Sequence, residues 1–223
     1  LAAGAVAAAA AGALLLTGGK KKDEPSAHGG SSPSAESEVP IPSDPREVIA
    51  SAKTDRAPLT PETFFPDAKP GTFERVALDT TDVCGTVTQN GLGPMLTTGG
   101  CRKLLRATYV RDGVAVTVGV AVFDTKAAAD KAKAQAKGNV AALPAPGAKP
   151  FCQGPACQTS ANAEGRYAYF TVAGYANGSA VKAGDAKVLG AARDAADYTF
   201  KRIVARGEAA AGKSAGSASP SAS

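Results

Sequence analysis

The most constraining feature of this chain is a run in which valine returns at every second position: Val114, Val116, Val118, Val120 and Val122. Ala115, Thr117, Gly119 and Ala121 fill the alternate places, and Phe123 closes the run. A period of two is that of a β-strand, so the valines share one face and that face must be packed. The other face carries only small side chains, which implies that another part of the chain lies close against it.

Elements on either side follow from this strand. Leu104–Tyr109 is strand-like, and Asp112-Gly113 between the two segments is a two-residue hairpin signal. Asp124 or Thr125 offers a capping oxygen for a helix over Thr125–Lys137, with Ala128, Ala132 and Ala136 as its apolar stripe, and Gly138-Asn139 stops it. Arg166 leads into a further strand, Tyr167–Tyr175, which is rich in aromatic and β-branched residues and is turned by Asn177-Gly178-Ser179. A last helix is predicted from near Asp185 to about Ala205, with Leu189, Ala192, Ala196, Phe200 and Ile203 facing the sheet. Thr72–Leu78 and Gly85–Gln89 supply one or two more strands. The expectation is an α+β domain: a small antiparallel sheet with two helices packed on one face, disulfide-stapled loops and disordered flanks.

The ends of the chain set the domain limits. Residues 20–61 are rich in Ser, Pro, Glu and Ala, and residues 207–223 are Ala, Gly, Ser and Lys with one Glu and one Pro. Such segments hold too little apolar surface to offset the entropy of ordering them. They are expected as a disordered tether and a disordered tail around a folded domain of residues 62–206. Residues 1–19 read as a transmembrane anchor or a signal segment, since Leu1–Thr17 carries no charge. A spanning helix needs about 20 apolar residues and a signal core about 7–15. Leu14–Leu16 runs into Thr17-Gly18-Gly19-Lys20 without an Ala-x-Ala cleavage pattern, which favours a single-pass anchor over secretion after cleavage. Lys20–Lys22 pulls its end toward the cytoplasm by the positive-inside tendency, whereas the cysteines place the domain outside.

Four cysteines, Cys84, Cys101, Cys152 and Cys157, all lie in the folded part. An even count behind an export-type leader reads as disulfides. Of the three pairings, loop geometry favours the two local ones: Cys84 with Cys101 around a Gly/Asn-rich loop, and Cys152 with Cys157 around a Gly-Pro turn. Each closure is worth roughly 2–4 kcal/mol. A zinc site or a redox pair is the rival reading, although only Cys152 and Cys157 are closely spaced and they do not form Cys-x-x-Cys.

Other chemistry is sparse. His28, the single histidine, lies in the tether, and no Gly-x-Ser-x-Gly, phosphate-binding or His-Glu-x-x-His pattern occurs. No catalytic residue, metal or cofactor is expected. Asp79 with Asp82 and Asp194 with Asp197 read as solvated turn and helix faces. The net charge of +5 is spread among interleaved Lys and Asp without a basic stripe, so nucleic acid is excluded as a partner. Tyr167, Tyr169 and Tyr175 share one strand face. Either they cover the outer face of the sheet while Phe170 and Val172 meet the helices, or they form a recognition surface; they are the candidate partner-binding residues.

Gly100-Cys101-Arg102-Lys103-Leu104-Leu105-Arg106-Ala107-Thr108-Tyr109, the valine strand and Phe123-Asp124-Thr125 resemble uncharacterised single-span, membrane-anchored extracytoplasmic proteins of actinobacteria. The likeness spans Cys84–Arg206 and the layout of apolar segment, tether and small cysteine-containing domain. More distantly, the layout is similar to the extracellular sensor domains of actinobacterial Ser/Thr kinases, though no kinase segment is present. This implies a non-enzymatic envelope binding or sensing module on a tether, contacting the membrane through its N-terminal segment and partnering an envelope protein or ligand. The alternatives are an extracytoplasmic thiol-disulfide enzyme using Cys152 and Cys157, or a purely structural envelope protein.

Overall fold

The hairpin forms as its residue pattern requires. Strands β3 (Lys103–Arg111) and β4 (Val114–Val122) pair antiparallel, from Lys103↔Val122 to Arg111↔Val114. Asp112 and Gly113 turn the chain at φ 49° and 78°, the doubly left-handed geometry that matches strand twist. Strand β7 (Tyr167–Tyr175) pairs with the free side of β4, β6 (Gln158–Glu164) with β7, and β1 (Glu74–Thr81) with β3. The resulting five-stranded antiparallel sheet has the order β1-β3-β4-β7-β6. The structure, a computed structural model, describes residues 39–153 and 157–217, with side chains as far as residue 213.

Helix α5 (Ala186–Ser217) covers the valine face, together with Phe64, Phe65 and Phe73 from the chain before β1. Its start is fixed by Asp185, whose Oδ1 accepts the N–H groups of Lys187 and Val188, both at 3.2 Å. The buried stripe is Val188, Ala191, Ala192, Ala195, Thr199 and Ile203. Of the expected positions Ala192 and Ile203 are buried, and Leu189, Ala196 and Phe200 lie half-buried at the margin of the stripe.

The opposite face is covered by helices α3 (Leu92–Thr98) and α4 (Lys126–Ala134) and by the ribbon of β2 (Thr88–Gln89) with β5 (Asn139–Val140). A β-carbon at Gly119 would collide with Val140 Cγ1. The small-residue face of β4 therefore receives a close neighbour, as its composition implies. The chain after β5 continues across this face: Thr108 Oγ1 donates to the Leu143 carbonyl at 2.6 Å, and Leu143 N–H donates to Thr117 Oγ1 at 3.0 Å. The α+β class holds, but the placement of two helices on one face is corrected. α4 and α5 lie on opposite faces because β4 alternates Val with Ala, Thr and Gly, leaving neither face polar enough for water.

Both domain limits are also corrected. Residues 39–61 are part of the fold: helix α1 (Pro45–Val48) leads into Val48 and Ile49, which are 0% and 1% exposed, and a second short helix, α2 (Pro61–Phe64), follows. At the other end α5 continues past Arg206, with Gly207 and Ala211 buried. A β-carbon at Gly207 would collide with the Pro45 carbonyl, so the expected tether and the expected tail cover each other there. The anchor or signal segment, residues 20–38 of the tether, His28 and residues 218–223 of the tail lie outside the described residues. Among the described residues no helix is long and apolar enough to cross a membrane.

Candidate functional site

Both local cysteine pairs close as disulfides. Cys84 and Cys101 are bonded with Cα atoms 6.3 Å apart, and Cys152 and Cys157 with Cα atoms 5.7 Å apart. No cysteine is left free. Two disulfides are what a chain folded in an oxidising compartment carries. The Gly-Pro turn inside the second pair lies outside the described residues.

The first loop folds locally for a clear reason. Cys84 starts a 3-10 turn, Cys84–Val87, and Cys101 follows α3, so the disulfide closes the two ends of one small unit. Between them Asn90 and Gly91 take positive φ, 56° and 96°, and reverse the chain from β2 into α3. Asn and Gly are the residues that bear this geometry at low cost. Gly138, at φ 80°, lies so close to the Gln89 and Asn90 carbonyls that any side chain would strike them. The helix stop after α4 is thereby locked to the first loop.

The second loop docks on the sheet. At Gly174 of β7 a β-carbon would stand 2.7 Å from Cys152 Sγ and 3.2 Å from Cys157 Sγ. Glycine at this strand position lets the disulfide lie flat on the backbone. Both stapled loops therefore reach the same face of the sheet, the one under α4.

Where they meet, a cleft of about 520 Å³ opens between Gln89 and Asn90 of the first loop, Gly138 and Asn139 after α4, and Cys152, Gln153, Cys157 and Thr159 of the second loop and β6. Asn139 is 8% exposed and is held by two bonds: its Oδ1 accepts from Asn90 Nδ2 at 3.2 Å, and its Nδ2 donates to the Val140 carbonyl at 3.0 Å. The cleft wall is thus a fixed pair of carboxamides with Gln89 and Gln153 beside it. None of these lining residues carries a charge. Carboxamides donate and accept at once, so the arrangement suits a neutral ligand rich in amide or hydroxyl groups.

Two other clefts, of about 560 and 650 Å³, are lined by arginines that already pair. In the first, Arg206 donates to Asp55 and to the Ala57 and Pro58 carbonyls, and Arg202 donates to the Phe64 carbonyl. In the second, Arg111 bridges Asp194 at 2.7 Å over the Phe73 ring, and Tyr198 donates to Asp67.

The tyrosines do not form a recognition surface. Tyr167 and Tyr169 are 0% and 6% exposed and pack beneath α5, on the side opposite the cleft. Burial, then the Asp55 charge, raises the Tyr167 phenol well above its usual range, and burial pushes Tyr169 up to about 12. Tyr175 is half-buried and donates to Asp185 Oδ2 at 2.8 Å. That bond is the first cause of the lowered Asp185 carboxyl, so Tyr175 braces the cap of α5. Three of the four paired aspartates meet bases: Asp79 meets Arg106 at 2.5 Å, Asp82 meets Lys103 at 3.1 Å and Asp194 meets Arg111. Sequence reasoning missed Asn139, which read only as a helix stop, and Gln89, Gln153 and Thr159, which carry no local signal. Compared with known proteins, the chain matches no family model, no curated protein and no solved structure.

Proposed function

We propose that this domain is a non-enzymatic binding or sensing module of the cell envelope, displayed outside the cytoplasm on its N-terminal segment, with its ligand seated in the carboxamide cleft. One observation carries this reading: two disulfide-closed loops, far apart in sequence, converge on a single uncharged cleft whose wall is fixed by the Asn90–Asn139 pair. Stapling loops that have little core of their own keeps such a cleft formed before the ligand arrives, which lowers the cost of binding. The uncharged lining supports recognition over acid–base catalysis, since it offers no general base that could activate the Thr159 hydroxyl. The disulfides and the apolar leader support an extracytoplasmic, single-pass placement.

Titrating isotopically labelled full chain with fractions of a cell-envelope extract tests the proposal by NMR. One fraction should give saturable amide shifts centred on Gln89, Asn90, Asn139, Gln153 and Thr159. The paired replacement C152S with C157S should weaken that response at least about tenfold by freeing the second loop. Shifts scattered over the surface, or none from any fraction, would remove the cleft from consideration.

A further inference from the structure

The two edges of the sheet are built differently, and the difference points at a ligand class. At β1 the register with β3 breaks between Arg75 and Ala77, the Arg75 N–H is already spent on the Ala68 carbonyl at 2.8 Å, and Glu74, Arg75 and Asp79 line the strand. A bulge and charges are the usual guards of an edge strand. β6 has none of these devices. Its seven residues, Gln158–Glu164, run in unbroken register with β7, contain no Pro or Lys, and carry one charge, Glu164, at the far end.

Not one residue of β6 is buried, whereas Tyr167–Gly174 of the adjoining β7 are all buried. Among the described residues no other strand or loop pairs with the outer edge of β6. Alternate N–H and C=O groups along about 23 Å of this edge therefore have no backbone partner among the described residues. The carboxamide cleft stands at the start of this edge, since Thr159 belongs to both.

We infer that β6 is the receiving edge for an extended polypeptide segment, which adds to the sheet as a sixth strand and places one end in the carboxamide cleft. The inference rests on the reading of that cleft as the binding site and names its ligand class. A polypeptide offers N–H and C=O groups at strand spacing, which is what both the bare edge and the Gln89, Asn90 and Gln153 carboxamides complement. The charge pattern agrees: the cleft lining is uncharged and the single charge of β6, Glu164 at its far end, faces Arg46 at 3.9 Å, so an uncharged peptide backbone loses nothing there.

The test uses immobilised full chain and a displayed library of octapeptides, the tightest binder then being synthesised with and without N-methyl groups on alternate backbone amides. Amide hydrogen exchange is followed on the free and peptide-saturated protein. Alternate amides of residues 158–164 should exchange freely without peptide and slow about tenfold or more with it. N-methylation in one register should weaken binding on the order of tenfold or more, and in the other register leave it unchanged. Protection at the cleft with unchanged exchange along β6 would overturn the edge proposal and leave the cleft reading standing. A library yielding no peptide that perturbs the cleft would also overturn it, the cleft then being judged by the extract titration. Protection of β6 that rises with protein concentration alone would assign the edge to a second copy of the chain and overturn it as well.

Discussion

Asp55 is the residue on which the N-terminal part of the domain depends. Its side chain is fully buried and accepts from Arg166 Nε at 3.0 Å, from Arg206 Nε at 2.7 Å and from the Tyr167 hydroxyl. Arg166 also donates to the Asp55 and Phe123 carbonyls. One carboxylate therefore ties the segment after α1 to β7 and to the second half of α5. Removing one partner of a buried ion cluster costs more than the cluster contributes, because the remaining charges stay desolvated. D55N keeps the shape and leaves two guanidinium groups facing each other. It should lower unfolding stability by about 3–5 kcal/mol, read from urea denaturation. A change indistinguishable from that of an exposed substitution would show that Arg166 and Arg206 are held by carbonyls alone. Nothing local in Lys53-Thr54-Asp55-Arg56 signals this role, since an aspartate in a Ser/Pro-rich stretch looks solvated.

Elements here are placed by what each face of β4 can accept. The valine face takes a long helix, and the small-residue face takes the β5 strand at van der Waals distance. Gly119 and Val140 are the pair that sets this second spacing. G119A should destabilise the domain by about 1–3 kcal/mol through overpacking. Adding V140A should recover part of the loss, giving a double-mutant coupling that two independent sites would not show. Additive losses in thermal or chemical unfolding would place the contact elsewhere. Gly119 was within reach of sequence reasoning, because the small face of β4 announces a close neighbour, whereas nothing local marks Val140 as that neighbour. By contrast α3 read as a glycine-rich loop, and β6 has one β-branched residue, Thr159, so neither gave a propensity signal.

For the molecule as a whole, two segments that cannot fold alone fold against each other. The stretch around α1 supplies Val48, Ile49 and Asp55, and α5 beyond Ala205 supplies Arg206, Gly207 and Ala211. A chain of residues 62–206 lacks one side of this contact entirely and most of the other. It should show no cooperative thermal transition, whereas residues 39–217 should melt in a single step followed by circular dichroism. Cooperative melting of the shorter chain would mean that the N-terminal part merely decorates a finished core. Sequence by itself determined the hairpin, the Tyr167–Tyr175 strand and the α+β class, and it favoured the local cysteine pairs that the structure then closed. Each rests on a local cause: a period of two, an Asp-Gly turn, or cysteines a short loop apart. Only the tertiary structure decided which faces the helices cover, where the domain begins and ends, and that the tyrosines are core while carboxamides line the cleft. Those outcomes depend on partners distant in the chain, through a buried ion cluster and glycines at close backbone approaches, and such partners leave no periodic trace in either segment.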